Sequence, residues 1–375
     1  MPVAFAGEEF TLHNPAGSEI RVRGWGNQFQ ATFETADGYT VVKNPATGFF
    51  DYARLSPAHS SLVATAIGAG SVDPATLDVE KHARTTPSAR RLQAQAARDD
   101  AGRRRWEERR QERRSVVRAA AGAGLAAPPP LPTAPGPVTG LCLLGQFPDV
   151  PGTITQQQID DFCNLPGYSA FGNNGSVHDY FLKVSGGKLQ YRNKAVAYYT
   201  AAHNRSYCTD PAIPYTQRAR ELIVEALDHL TALGHDFGQL SSDSSGFVFA
   251  LNVFYAGGAV NNWSEGLGPH SCSLASFYQV TAGTELSDYQ ITDIGTELTL
   301  RTFCHENSHM VCDFPDLYDY GNGGGGVGNY CLMCYGGSDL NPVEVNVYLK
   351  NAAGRTSAIE TVDDGMEADV EAGRK

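Results

Sequence analysis

Thr296-Glu297-Leu298-Thr299-Leu300-Arg301-Thr302-Phe303-Cys304-His305-Glu306-Asn307-Ser308-His309-Met310-Val311-Cys312 contains no proline and reads as a helix. Its last two turns decide how the rest of the chain is read. Two imidazoles four residues apart on a helix share one face. That spacing lets both rings reach a single zinc ion at about 2.0–2.1 Å. Glu306 stands one step round the same face, near the metal without being a ligand, where it can act as a base. Water on zinc has its pKa lowered to about 7, and a neighbouring carboxylate takes its proton as it attacks a carbonyl. His305 and His309 are therefore expected as zinc ligands and Glu306 as the catalytic base. The plainer alternative is two core histidines with a glutamate between them by coincidence.

Downstream runs Asp313-Phe314-Pro315-Asp316-Leu317-Tyr318-Asp319. A catalytic zinc site with two histidines needs a third protein ligand and one open position. Pro315 is expected to stop the helix, and Asp316 follows it directly. Asp316 is the first candidate for the third ligand; Asp313, four residues past His309, and Asp319 are the others. Asp319-Tyr320-Gly321-Asn322 and the glycines after it are loop-like enough to hold calcium instead. In Gly328-Asn329-Tyr330-Cys331-Leu332-Met333-Cys334-Tyr335-Gly336-Gly337, Met333 is expected to form an apolar floor to the site. Tyr335 is a candidate donor to a developing oxyanion, with an ordinary core Met and Tyr as the alternative. Cys331-x-x-Cys334 lacks the second pair that a four-cysteine zinc site requires.

Upstream, residues 1–75 read as short strands and turns. Arg21–Trp25, Phe29–Thr35 and Tyr39–Val42 are rich in strand formers, and Ala36-Asp37-Gly38 and Asn44-Pro45 supply turns. Residues 84–118 carry 12 of the 29 Lys and Arg but only 5 of the 41 Asp and Glu, a net of +7 against −19 for the remainder. Charge runs usually face solvent, so a solvated helical connector is expected there. A binding arm, a processing site, or docking onto the acidic body are the alternatives. The Ala, Gly and Pro of 119–137 have linker composition. Beyond Gly140, Leu141–Leu144 reads as a buried strand, Thr155 with Gln158 as a capping box, and Ser176 as a second helix cap. Thr216 is expected to cap a longer helix, and Phe247–Tyr255 to form a central strand. Strands and helices mix throughout, which makes the chain α+β.

A net charge of −12 and a sequence pI of 5.3 argue against a nucleic-acid binder. Hydrophobic content of 42% is enough for a sizeable core. No apolar run reaches the 18–20 or so residues of a membrane-spanning helix. Eight cysteines, all past residue 141, would suit up to four disulfides in an oxidising compartment, or else fill the core as free thiols. The sequence begins without a signal-peptide pattern. Export is nonetheless the favoured expectation, together with a monomeric state and protein or peptide substrates.

These residues resemble one family, the immune inhibitor A-like secreted metallopeptidases, zinc endopeptidases of metzincin-like architecture. The likeness is carried by Tyr39–Ala53, by Phe147-Pro148-Asp149 and Asn173–Phe181, by the His305–His309 helix with Pro315–Asp319, and by Val327–Gly337 with Asn341-Pro342-Val343. It implies a β-rich, propeptide-like domain over 1–83, a basic segment and linker over 84–137, a zincin-type peptidase domain over 138–355 with a mixed twisted sheet and an active-site helix, and a polar tail over 356–375. It also implies zinc on His305 and His309, with Glu306 as base and the Pro315-Asp316 turn as source of the third ligand. Cys312 stands where the family commonly has glycine, and Asp316 lies one residue further along than usual. Residues 1–141 hold no cysteine, so any cover of the site from that region must use a carboxylate, His13, His59, His82, main chain or steric bulk. The competing expectation is a non-catalytic, zinc-stabilised binding protein with a basic interaction arm.

Overall fold

The computed structural model describes residues 4–27, 29–102, 104–123, 136–260, 262, 265–318 and 326–354. The linker residues 124–135, the segment 319–325 and the tail 356–375 lie outside the described residues.

Six strands, β1 (Phe5–His13), β2 (Glu19–Asn27), β3 (Gln30–Thr35), β4 (Thr40–Lys43), β5 (Phe50–Leu55) and β6 (Leu62–Gly68), pair antiparallel in chain order. The sequence alternation explains the sheet. In β2, Ile20 and Val22 are buried while Arg21 and Arg23 are exposed, so one face packs with Leu12, Val41 and Tyr52 and the other meets water. Two helices follow, α1 (Pro87–Ala101) and α2 (Arg105–Gly122). α1 starts where Thr86 accepts a hydrogen bond from the Ala89 amide and proline takes the first helical position.

The second sheet is mixed. Its elements are β7 (Pro137–Gln146), α3 (Gln156–Asn164), α4 (Val177–Val184), β8 (Gln190–Thr200), α5 (Arg205–Cys208), α6 (Tyr215–Ala232), β9 (Leu251–Ala256), β10 (His270–Thr281), β11 (Thr284–Ile294), α7 (Leu300–Cys312) and α8 (Val347–Ala352). The strand order is β10-β11-β9-β7-β8, antiparallel only between β10 and β11. The chain is thus α+β. β7 shows why the sheet is covered on both faces. Cys142 and Leu144 join a cluster with Phe162 of α3, Phe181 of α4 and Phe303 and Met310 of α7. Leu141 and Leu143 join Leu222, Ile223 and Leu227 of α6 on the other side.

The capping boxes form at Thr155 with Gln158 and at Ser176, where Asp179 completes the pair. Three boundaries differ from expectation. α6 begins at Tyr215 behind Pro214, and Thr216 is buried inside it rather than capping it. The central strand starts at Leu251, because Phe247 and Val248 spend their main-chain bonds on isolated bridges to Glu285 and Ser242. α7 starts at Leu300 rather than Thr296. All eight cysteines are buried and none is joined in a disulfide, so the disulfide expectation is corrected in favour of thiols as core filler. Among the described residues no helix is long and apolar enough to cross a membrane.

Expectation and structure also part at the basic segment. Residues 114–119 are exposed, but Arg104, Trp106 and Arg109 are buried. The solvated connector is corrected to a docked helix. Carboxylates remote in sequence supply what a charge run otherwise takes from water: Asp243 for Arg105, and Asp313 for Arg109 and Arg113.

Candidate metal centre

α7 carries the centre, and four contacts fix it. The Asp339 carbonyl accepts from the Leu300 and Arg301 amides, which covers an N-terminus that Thr299 leaves without a side-chain cap. At the other end Asp313 adopts the left-handed conformation (φ 54°) and its amide bonds to the His309 carbonyl. Helix termination therefore falls to Asp313, two residues before Pro315. Phe303 stacks on Phe254 of β9 with centroids 5.3 Å apart. Asn307 points into the sheet, where it meets a buried polar ladder.

That ladder is unusual in strands otherwise apolar. The Asn307 amide donates to Asn252 Oδ1 of β9 (2.8 Å), and Gln290 Nε2 of β11 donates to the same atom (3.1 Å). The Asn252 amide reaches across β7 to Asn193 Oδ1 of β8 (2.8 Å), and the Tyr191 hydroxyl lies 2.5 Å from Asn307 Oδ1. The crossing is possible because β7 has glycine there. A Cβ on Gly140 would lie 2.7 Å from Asn193 Oδ1 and 2.9 Å from the Tyr191 oxygen. Unmade bonds here would cost about 1–3 kcal/mol each, so the ladder sets the rotation of α7 about its own axis.

With α7 so held, His305 Nε2 and His309 Nε2 lie 3.2 Å apart. Asp316 Oδ1 is 3.1 Å from the first and 3.2 Å from the second. The chain bends Asp316 back by bonding the Leu317 amide to the Met333 carbonyl (2.7 Å). Each imidazole has its other nitrogen committed: His305 Nδ1 donates to the Leu332 carbonyl (2.9 Å) and His309 Nδ1 to the Phe314 carbonyl (2.5 Å). This assigns the Nδ1–H tautomer to both rings and leaves both Nε2 lone pairs facing a carboxylate oxygen. Three acceptors at such separations repel unless a cation lies between them. A tetrahedral zinc site with bonds of about 2.0 Å has ligand–ligand edges of about 3.3 Å, so the triangle fits zinc with one position left open. Without a metal, the imidazoles and the carboxylate favour each other's charged forms. Burial alone would raise the Asp316 carboxyl, but His309 and His305 hold it well below the usual carboxylate range. For His305 burial works to lower the pKa, and Asp316 and Glu306 more than reverse it.

Glu306 stands beside the triangle. His305, Glu306 and His309 offer ligand atoms within 4.8 Å of one another. However, Glu306 Oε1 is 3.7 Å from His305 Nε2, further than Asp316. Its side chain is 2% exposed and, among the described residues, accepts no hydrogen bond. Of the candidates for third ligand, Asp316 joins the imidazoles. Asp313 instead binds Arg109 and Arg113, and Asp319 lies outside the described residues, as does the glycine run considered for calcium. Met333 is fully buried in the cluster that holds Cys304 and Met310 of α7. Tyr335 packs against Ala4, Tyr318 and Cys334, and makes no hydrogen bond to the two imidazoles or Asp316 among the described residues.

One neighbour was not anticipated. The Trp106 ring of α2 stacks on the His309 ring, with centroids 4.7 Å apart and planes 22° apart. A tryptophan within an arginine run was the available signal, since a solvated helix has no use for one.

No protein-family model matches the chain, and no curated protein matches it.

Proposed function

We propose that the chain is a zinc-dependent endopeptidase of the immune inhibitor A-like, metzincin-like kind. The observation that carries the reading is the triangle of His305 Nε2, His309 Nε2 and Asp316 Oδ1. Those three side chains would hold the ion. The chemistry supplied by bound zinc is acidification of water, to a pKa of about 7, and polarisation of a carbonyl. The rest is the chain's own work. Glu306, adjacent to His305 and without a hydrogen-bond donor, takes the proton from the attacking water at a carboxylate oxygen and returns it to the leaving amine. Leu332 and Phe314 hold the imidazoles in the tautomer that keeps both Nε2 atoms unprotonated. Met333 and Phe303 exclude water from beneath the helix.

A second reading, a structural zinc site in a binding protein, is favoured by burial: the side chains of His305, His309 and Asp316 are only 1%, 3% and 6% exposed. Against it stands Glu306, because burying a carboxylate that lies outside the triangle and accepts no hydrogen bond among the described residues costs stability with no structural return. The two separate on bound zinc and casein cleavage. Both are measured for the wild type and for a chain with Arg109→Ser and Arg113→Ser, each with and without Glu306→Ala. Zinc in all four, with cleavage only where Glu306 is present, supports the peptidase. Zinc in all four with no cleavage in either background supports the structural site.

A further inference from the structure

α2 lies against α7 and β11 and fills a groove lined by three carboxylates. Asp288 of β11 accepts hydrogen bonds from the Arg105 amide (2.8 Å) and the Trp106 amide (3.0 Å), capping the helix from another part of the chain. Asp243 receives Arg105 Nε (3.0 Å) and Arg109 Nη1 (3.3 Å). Asp313, the residue that ends α7, receives Arg109 through Nε (3.0 Å) and Nη2 (2.7 Å) and Arg113 through Nη1 (2.6 Å). Arg109 Nη2 also donates to the Met310 carbonyl (2.6 Å), within the last turn of α7. Between these ion pairs Trp106, 2% exposed, is pressed on His309.

Resting on the metal-centre reading above, we infer that α2 is a built-in basic cover of the centre, and that the His305, His309 and Asp316 triangle becomes accessible only when α2 leaves its groove. Three observations carry this. The stacked ring lies on a ligand imidazole and not merely near it. The latch is made by one element, through arginines four residues apart on Asp243 and Asp313 and main-chain amides on Asp288, so removal of α2 exposes all three carboxylates together. The Trp106 indole N–H is buried with no hydrogen-bond partner among the described residues. An unsatisfied buried donor opposes the covered arrangement. The indole therefore sits where the ion pairs hold it. The segment that would compete with α2 has the same chemistry: arginines one helical turn apart, read by Asp243 and Asp313.

The test uses the metal-stripped full chain, so that it does not depend on catalysis. Carbethoxylation of individual histidines by diethyl pyrocarbonate is followed by mass spectrometry in the wild type, in Arg109→Ser/Arg113→Ser and in Trp106→Ala. The variants should label at His305 and His309 at least about tenfold faster, a factor worth about 1.4 kcal/mol. His178 of α4, buried and bonded to the Tyr191 carbonyl, should keep its rate. Equal rates at His305 and His309 in wild type and variants overturn the cover. Acceleration shared by His178 does the same, since it reports general loosening. Trp106→Ala keeps both ion pairs and covers the case in which the double variant does not fold. Accelerated labelling, with no casein cleavage by any of these chains once reloaded with zinc, would leave the cover standing and remove the peptidase reading.

Discussion

Asn307 Nδ2 donates to Asn252 Oδ1 across 2.8 Å, tying α7, at a point between His305 and His309, to the central strand of the sheet. The bond lives in a layer where most neighbours are apolar, so its partners have no water to turn to. It links packing to chemistry: the sheet, through one amide, sets the direction in which His305 and His309 point.

Replacing Asn307 by alanine should therefore do two things. It takes one of two donors from Asn252 Oδ1 and one partner from the Tyr191 hydroxyl, two buried bonds whose loss lowers stability by about 1–3 kcal/mol, and it frees α7 to rotate. Denaturant midpoints would show the first effect. A zinc titration of the folded variant would show the second as affinity weakened by about tenfold or more, the range seen when an outer partner of a metal ligand is lost. Unchanged zinc affinity in a destabilised Asn307→Ala chain would mean that the ladder is structural only.

Gly140→Ala tests the same ladder from the strand side. The new methyl would meet Asn193 Oδ1 at 2.7 Å and Tyr191 Oη at 2.9 Å. Overpacking of this kind costs about 1–3 kcal/mol. Alanine at Gly186, where a Cβ meets nothing within 4 Å, is the control for glycine replacement alone; its φ of +60° gives it a backbone penalty but no clash. A smaller loss at Gly140 than at Gly186 would contradict the account.

The two aspartates that flank Pro315 should separate cleanly. Asp316→Ala removes a ligand, and zinc stoichiometry measured after gel filtration should fall below one per chain. Asp313→Ala leaves the triangle intact but takes from buried Arg109 its two-bond partner, leaving Asp243 as its ion-pair partner. Zinc should stay bound while thermal stability drops, by an amount on the order of the 3–5 kcal/mol typical of a broken buried pair. The reverse pattern would make Asp313 the ligand.

The latch should survive mild acid. For Asp243, burial pushes the carboxyl up, but Arg105 and the Ser245 and Phe247 amides hold it below its ordinary 3.8. Its contribution is present above that value and is lost only as pH falls through the depressed pKa. Asp288 goes the other way: burial raises it despite the Arg105 and Trp106 amides, so it takes up a proton more readily in the folded chain and does not drive release. The difference emission spectrum, wild type minus Trp106→Phe, should stay blue-shifted from about pH 7 to about pH 5. A red shift within that window would show a latch of different composition.

Parts of this were legible in the sequence, each for a local reason. Thr155 and Gln158 announce a helix because their reciprocal bonds span three residues. The spacing of His305 and His309 announces a shared face because the helix has a fixed period. β2 to β4 were readable from strand formers punctuated by Asp37-Gly38. The failures were non-local. The arginines of α2 look solvated until Asp243 and Asp313, 134 and 204 residues from Arg109, are brought beside them. Asn193, Asn252 and Gln290 look like polar interruptions in apolar strands until strand order β11-β9-β7-β8 sets them in a row across Gly140. Thr216 looks like a cap because its chemistry suits one, but Pro214 fixes the helix start ahead of it.

The most direct measurement of the central claim is the zinc X-ray absorption spectrum of the zinc-loaded full chain. The account predicts a first shell of nitrogen and oxygen at about 2.0 Å, with the multiple-scattering signature of two imidazoles and no sulfur. Loss of one imidazole contribution in His309→Ala should follow. A sulfur shell at about 2.3 Å, or a shell without imidazole, would place the metal elsewhere and contradict it.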